Sequence, residues 1–509
     1  MLSLPRLMTR DARIDSRFLL GLLLYFSLFA VVRVLISDAL ELDEAEQLLL
    51  AQWWQWGYSA QPPLYTWLSA GAERLFGVNL LTASLLREAL LFLTYLFVYL
   101  TALRVLQGPR LAIAATLSLL LIPQILWENQ REHTHSLLAL CLAAATLYLV
   151  ILLLQRRHLA TYLALGLVGG LGVLAKYNIL LFDFALAAAL LTLAEGRRLL
   201  LDWRCAIALG LALLILSPHL FWLLQHLQAI SDLHAVVAGE ARRVSASLQV
   251  LVTVLVFLTP MWLVFTLMFY PALREGLHAG VRGVAVQLIL RYLAVVLALL
   301  LCAQWVLGMG QIKERWLQPL LFMVPIACFA LLNAQAVRRR RLNLYSGIAL
   351  TAGALALLVT AVRLPLLSDA SKPSRLHQPI AELAALIAPL APPGSLLLAE
   401  EYALAGALRL HLPDRVWYGP RMSYVVPPIP QLVQDAKQVV LLWDGARQES
   451  VPPQLRHLAE DAGLRLEGAV PGYIEAPYRY GLARHYRLGM LVVPGPALET
   501  SVFQADPDR

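Results

Sequence analysis

Long apolar runs separated by short polar clusters organise this chain. A helix that crosses a bilayer needs about 20 predominantly apolar residues, and by that rule the pattern predicts eleven spans. The first runs from about Phe18 to Ile36 and follows Arg6, Arg10, Arg13 and Arg17, a cationic flank that puts the N-terminus in the cytoplasm. The second runs from about Asn79 to Leu106, the third follows Gly108 and Pro109 and ends near Trp127, and the fourth covers about Ser136 to Leu154. Two shorter runs, 159–175 and 178–194, meet at Lys176 and Tyr177. Further spans from about Arg204 to Leu224, up to Tyr270, and from Gly283 to Leu307 lead to a tenth before Arg338–Arg341 and an eleventh ending near Arg363. Alternation then places 37–78, the loop Glu128–His135, Lys176 and Lys313–Arg315 on the extracytoplasmic side, with the arginine clusters inside.

After Leu364 the pattern changes. Apolar runs shorten, prolines multiply, and SLLLAEE, QVVLLWDG and RLGMLVVPG read as buried strands among helical stretches such as PQLRHLAEDAG. Residues 1–363 are thus expected to form a polytopic α-helical membrane domain, and 364–509 a small extracytoplasmic α/β domain with a loose tail.

Composition agrees with the pattern. At 59% hydrophobic and 15% charged residues over 509 positions, the chain is too apolar for a soluble protein of its size. The net charge of +8 sits in short clusters at the ends of apolar runs, so it anchors loops and is not a nucleic-acid stripe. Cys141, Cys205, Cys302 and Cys328 are scattered through apolar runs without a CxxC pair, and read as small buried hydrophobes.

The stretch Ser37–Leu68 concentrates the candidate chemistry. Asp38, Glu41, Asp43, Glu44 and Glu46 lie just outside the first span, ahead of four tryptophans and the double proline Pro62-Pro63. A carboxylate held at the lipid surface suits a general base acting on a substrate that arrives from the membrane. Asp43 and Glu44 are the candidates, against the plainer reading of a solvated acidic loop. Lys176, Lys313 and Arg315 lie on the side that positive-inside topology disfavours, with Arg131, His133 and His135 in a neighbouring loop. Cations so placed fit an anionic partner such as a lipid phosphate. No HExxH or equivalent supports zinc at the histidines, and Asp232 with His234 repeats the same weak spacing.

LDEAEQ after the first span, QPPLYTWL before the second, THSLL from Thr134, LAKYN ending at Asn178 and KERWLQPLL from Lys313 occur in this order. The ordered set resembles the GT-C superfamily of integral-membrane glycosyltransferases over roughly residues 18 to 335. Within it the resemblance is to the protein O-mannosyltransferase and aminoarabinose-transferase-like group, in the branch related to bacterial lipopolysaccharide galacturonosyltransferases. The resemblance implies an inner-membrane enzyme that moves a sugar, with inversion, from a polyprenyl-phosphate donor to a lipid or glycan acceptor. It implies Asp43 as base with Glu44 beside it, Lys176, Arg315 and Lys313 at the donor phosphate, and a pocket of Gln61, Tyr65, Arg131, His133, His135 and Tyr177. Many relatives carry Lys where Gln61 stands and Asp where His135 stands. No metal ligand is assigned, although the resemblance leaves room for a divalent cation. The competing reading is a transporter or flippase of lipid-linked sugars, whose charges would gather near mid-membrane in repeated halves.

Overall fold

The computed structural model describes the chain except residues 1–13, 59–60, 228–245, 281–282, 308–312, 367–372, 421, 423–428, 467, 481–483 and 496–509. Asp232 and His234 lie outside the described residues.

Apolar length sets the helices. α1 (Ser16–Ile36) starts where the Asp15 carboxylate caps the N–H groups of Arg17 and Phe18. α2 (Leu42–Leu50) and α3 (Leu64–Phe76) are short and amphipathic, and α4 (Leu80–Val105) is long and apolar. α5 (Pro109–Leu117) continues through a 3-10 turn to Leu121, and Pro123 opens α6 (Pro123–Leu126) at an 84° bend. α7 (Thr134–Gln155), α8 (Leu159–Ala175) and α9 (Ile179–Leu191) follow. Among the described residues six helices are long and apolar enough to cross a membrane, or eight if two bent pairs each count once. Reaching the expected eleven requires the shorter helices Leu159–Ala175, Ile179–Leu191 and Gln318–Ala330 to cross as well.

Exposure follows the surroundings. Leu209, Leu214 and Phe221 on the Trp203–Gln225 helix are exposed as lipid-facing side chains would be, while its other face packs on α8. Gly166 permits that contact, because a Cβ there would lie 2.3 Å from the Ala208 carbonyl oxygen. The bundle core is a continuous apolar cluster through α4, α5, α7 and α9.

A second core sits on one face of the bundle. Its sheet has the order β2-β1-β3-β5-β4. β1 (Ser395–Ala399) pairs in parallel with β2 (Val416–Tyr418) and β3 (Gln438–Asp444), whereas β4 (Gly472–Pro477) and β5 (His485–Pro494) close the far side antiparallel. β1, β3 and β5 contain the three segments read as strands, and the helix Pro453–Asp461 the segment read as helical. This core also takes in Ala39, Leu40, Ala45, Leu48 and Leu49 from the first loop and α2. The segment 37–50 therefore packs with the C-terminal domain, although more than 300 residues separate them along the chain. The contact is tightest against the helix Tyr402–Arg409, here the docking helix, where a Cβ on Gly406 would come within 2.0 Å of the Ala45 carbonyl oxygen.

Candidate active site

Consecutive residues on an α-helix point about 100° apart, so Asp43 and Glu44 at the start of α2 face different surroundings. Glu44 turns inward. Its Oε2 accepts from the Arg33 guanidinium at 2.6 Å and from the Glu41 N–H at 3.0 Å, and its Oε1 accepts from Arg87 at 2.6 Å. Burial pushes the Glu44 carboxyl upward, but Arg33 and Arg87 outweigh it and hold the group at about 2. Both oxygens are engaged and the group stays ionised. Glu44, expected beside Asp43 in the catalytic pair, is thus placed among two guanidinium groups and a backbone N–H, away from the surroundings of Asp43.

Asp43 turns toward the loop before α7. Its Oδ2 accepts the backbone N–H of His133 at 2.8 Å, and its Oδ1 has no hydrogen-bond partner among the described residues. His133 is the residue that caps α7, held at φ +75, in the left-handed region that bulky L-residues seldom occupy. Its Nδ1 is buried without a partner. Burial lowers the imidazole to about 4, Arg315 and Lys176 push the same way, and Asp43 opposes them. His133 is therefore neutral at neutral pH.

Lys176 occupies the turn between α8 and α9, where its ammonium donates to the Ser136 hydroxyl at 2.5 Å. Burial lowers it to about 7, Arg315 and Lys313 add to the effect, and Asp43 opposes it. These mutual influences put Asp43, His133, Lys176, Arg315 and Lys313 in one electrostatic neighbourhood. Arg315 stands on the single turn Glu314–Trp316, with its Nε buried and unpartnered, and the Lys313 ammonium lies 6.0 Å from the Trp316 ring centroid. That turn is fixed by a hydrogen bond from Gln124 to Glu314 and by Gln318 donating to the Gln124 carbonyl at 3.2 Å.

The remaining expected residues divide into three groups. His135 lies in a closed chain: its Nδ1 contacts the Ala175 carbonyl at 3.2 Å and its Nε2 contacts Gln47 Nε2 at 3.1 Å, while Thr66 donates to Gln47 Oε1 at 2.7 Å. A carbonyl only accepts, so Nδ1 carries the proton and Nε2 receives from Gln47. Tyr65 is buried, its ring 5.8 Å from that of His135, and Gln61 shares a narrow crevice with His135, Gln47 and Thr66. The Tyr177 hydroxyl meets His219 Nε2 at 2.8 Å, and His219 Nδ1 donates to the Trp56 carbonyl at 2.7 Å. Arg131, which also acts on His133, pairs with Arg363, both over the Trp127 ring and both within 3.8 Å of Glu41.

Sequence reasoning missed Gln47, Thr66, Ser136 and His219, neutral polar groups with no distinguishing spacing. It also passed over Arg33, Arg87 and Glu88, whose signal was present: ionisable residues inside apolar spans are costly and require partners. Among the described residues no group of three or more His, Cys, Asp or Glu is arranged to hold a metal ion.

With this geometry established, comparison with known proteins is informative. Residues 60–222 match the family described as dolichyl-phosphate-mannose-protein mannosyltransferase. The lipopolysaccharide core galacturonosyltransferase RgtB of Rhizobium johnstonii is 32% identical over 508 residues, covering 96% of this chain and 100% of that protein. This chain belongs to the same family of GT-C membrane glycosyltransferases. RgtA of the same organism, also a lipopolysaccharide core galacturonosyltransferase, is 31% identical over 91% of this chain and 94% of its own. The fold of this glycosyltransferase is that of ArnT from Cupriavidus metallidurans. The apo crystal structure of ArnT aligns with TM-score 0.59 at 16% identity over 94% of this chain and 97% of that one. The structure of ArnT bound to undecaprenyl phosphate aligns with TM-score 0.60 at 14% identity over 94% and 98%.

Proposed function

We propose that this glycosyltransferase moves a sugar from a polyprenyl-phosphate donor to a lipopolysaccharide or related envelope glycan on the extracytoplasmic face of the inner membrane, with Asp43 as the general base. The observation that carries the reading is the pairing of a half-engaged carboxylate with cations that meet no carboxylate in an ion pair among the described residues. Asp43 is held through Oδ2 by the His133 N–H while Oδ1 has no partner among the described residues, Lys176 lies close enough to feel its charge, and Arg315 acts on both Lys176 and His133. Kinship with RgtA and RgtB makes a uronic acid the sugar we assign.

The chemistry then follows from charge. The acceptor hydroxyl loses its proton to Asp43 Oδ1 as its oxygen attacks the anomeric carbon from the side opposite the phosphate. The bond from the anomeric carbon to the phosphate oxygen breaks with its electron pair passing to the phosphate. Lys176 and Arg315 receive the charge that develops there. Burial keeps Lys176 out of bulk water, which strengthens its pull on the leaving group.

The test compares envelope lipids and lipopolysaccharide by mass spectrometry from cells making wild-type protein or Asp43→Asn at equal levels. Removing a general base lowers rates by roughly 10²–10⁴, so the added sugar mass should vanish with Asp43→Asn. An unchanged profile would take the base role away from Asp43.

A further inference from the structure

The C-terminal domain contains a polar cleft that the catalytic cluster does not use. In the sheet, the chain leaves β1 for β2 on one side and then returns past β1 to β3 on the other. In an open α/β sheet the crevice at such a reversal, outside the carboxyl ends of the strands, is where ligands bind. A cleft of about 180 Å³ lies there, several times the ~30 Å³ share of a water molecule. Glu400 and Glu401 line it directly after the end of β1, Asp444 from the end of β3, Arg447 just beyond, Tyr478 from the end of β4, and Arg375 from the segment that enters the domain.

The lining selects a class of ligand. Phosphates bind at helix N-termini that are free of acids, but here Glu400 and Glu401 precede the docking helix and Asp444 faces them, so a phosphate would meet three carboxylates. No metal-binding set exists among the described residues. Arg447 joins Glu401 Oε1 at 2.8 Å and Asp444 Oδ2 at 3.2 Å, and Glu400 Oε2 accepts the Asp444 N–H at 3.2 Å. Carboxylate acceptors beside guanidinium donors and a phenol are the groups that hydrogen-bond vicinal hydroxyls. Arg375, which lines the cleft, acts on the charge of Glu132 in the loop that carries His133, and Glu132 in turn senses Asp43.

We infer that this cleft is a glycan subsite, which holds a neutral sugar unit of the acceptor so that a neighbouring hydroxyl reaches Asp43. The inference rests on the transferase reading for its role and on the cleft alone for its binding. The full-length protein in nanodiscs is titrated with deacylated lipopolysaccharide from cells lacking it, with binding read by saturation-transfer NMR and transfer by acceptor KM. Glu400→Gln with Arg447→Ala, at unchanged melting temperature, should abolish the saturation-transfer signals and raise acceptor KM at least tenfold, leaving donor KM unchanged. Tyr478→Phe, which removes one hydroxyl, should raise acceptor KM by a smaller factor should the double variant fail to fold. Asp43→Asn should bind glycan and not transfer. Wild-type acceptor KM in the folded cleft variants would overturn the subsite while leaving the transferase standing. Glycan signals that vanish in the cleft variants from a wild type that transfers nothing would keep the subsite and sink the transferase.

Discussion

Two clusters of charge lie within a few residues of each other on this protein, and they are built on opposite plans. Around Glu44 nearly every charge is answered: Arg33 and Arg87 bind it, Arg87 reaches on to Glu88 at 3.4 Å, and Gln130 donates to Glu88 at 3.2 Å. Around Asp43 little is closed: one carboxylate oxygen is open, the Arg315 Nε is unpartnered, and Lys176 is met by a neutral hydroxyl. Buried charges that close on themselves fix geometry. Charges left open at the membrane surface leave room for a charge from elsewhere, which in the function proposed above is the donor phosphate.

The comparison breaks most sharply at Glu44. Glu44→Gln leaves buried Arg33 without its counter-charge and Arg87 with Glu88 alone, and should cost roughly 3–5 kcal/mol of stability, read as a fall in the melting temperature of the detergent-solubilised protein. The contrast with Asp43→Asn is the point: that variant should melt like wild type and fail to transfer. The pH dependence has a definite sign. The Glu44 carboxyl lies below its ordinary value of 4.5, at about 2, so its contribution is complete above the ordinary value and is lost as pH falls through about 2. A Glu44→Gln protein that melts at the wild-type temperature would show that Arg33 and Arg87 are satisfied without it.

What could be read from the sequence, and what could not, follows the same division. Asp43, Lys176 and Arg315 were legible because charges at the ends of apolar runs stand out against a membrane background. The separation of Asp43 from Glu44 was not, because it depends on which way α2 faces Arg33 and Arg87, carried on two other helices. Long apolar helices were legible by length alone. The 13-residue helix Ile179–Leu191 and the bend at Pro123 were not, since a short apolar run fits a crossing and a broken span equally well. The β1, β3 and β5 strands announced themselves as apolar runs, while β2, only three residues long, gave no pattern. Least legible was the sharing of one core by 37–50 and the C-terminal domain, a contact that no local periodicity encodes.

That shared core gives a smaller and more local way to sharpen the comparison. The docking helix holds α2 through the close approach of Gly406 to Ala45 and through Arg409 donating to the Leu48 carbonyl, and Arg409 also ties it to α3 by the pair with Glu73 at 2.9 Å. Gly406→Val forces the two helices apart, and overpacking of this kind costs about 1–3 kcal/mol. If α2 is positioned from this side, transfer should fall by more than the loss of folded protein explains, with the residual enzyme showing lower kcat. An active Gly406→Val enzyme with wild-type kcat per folded molecule would mean that the Glu44 cluster alone sets the Asp43 geometry.

The finest test concerns the open cluster and uses pH. Burial lowers Lys176 from its ordinary 10.5 to about 7, with Arg315 pushing the same way, so the ammonium loses its proton as pH rises through about 7. Two consequences run in opposite directions. The unfolded chain holds this proton up to about 10.5 and the folded one does not, so Lys176 adds stability as pH rises from about 7 toward 10.5. The donor phosphate, in contrast, needs the cation, so kcat/KM for the donor should fall about tenfold for each pH unit above 7 if Lys176 is essential, since each unit reduces the protonated fraction by that factor. Lys176→Arg separates the two, because a guanidinium keeps its charge across this range. Its donor kcat/KM should be flat from pH 6 to 9 while the wild type declines, and a wild-type profile equally flat would leave Arg315 as the cation that receives the phosphate.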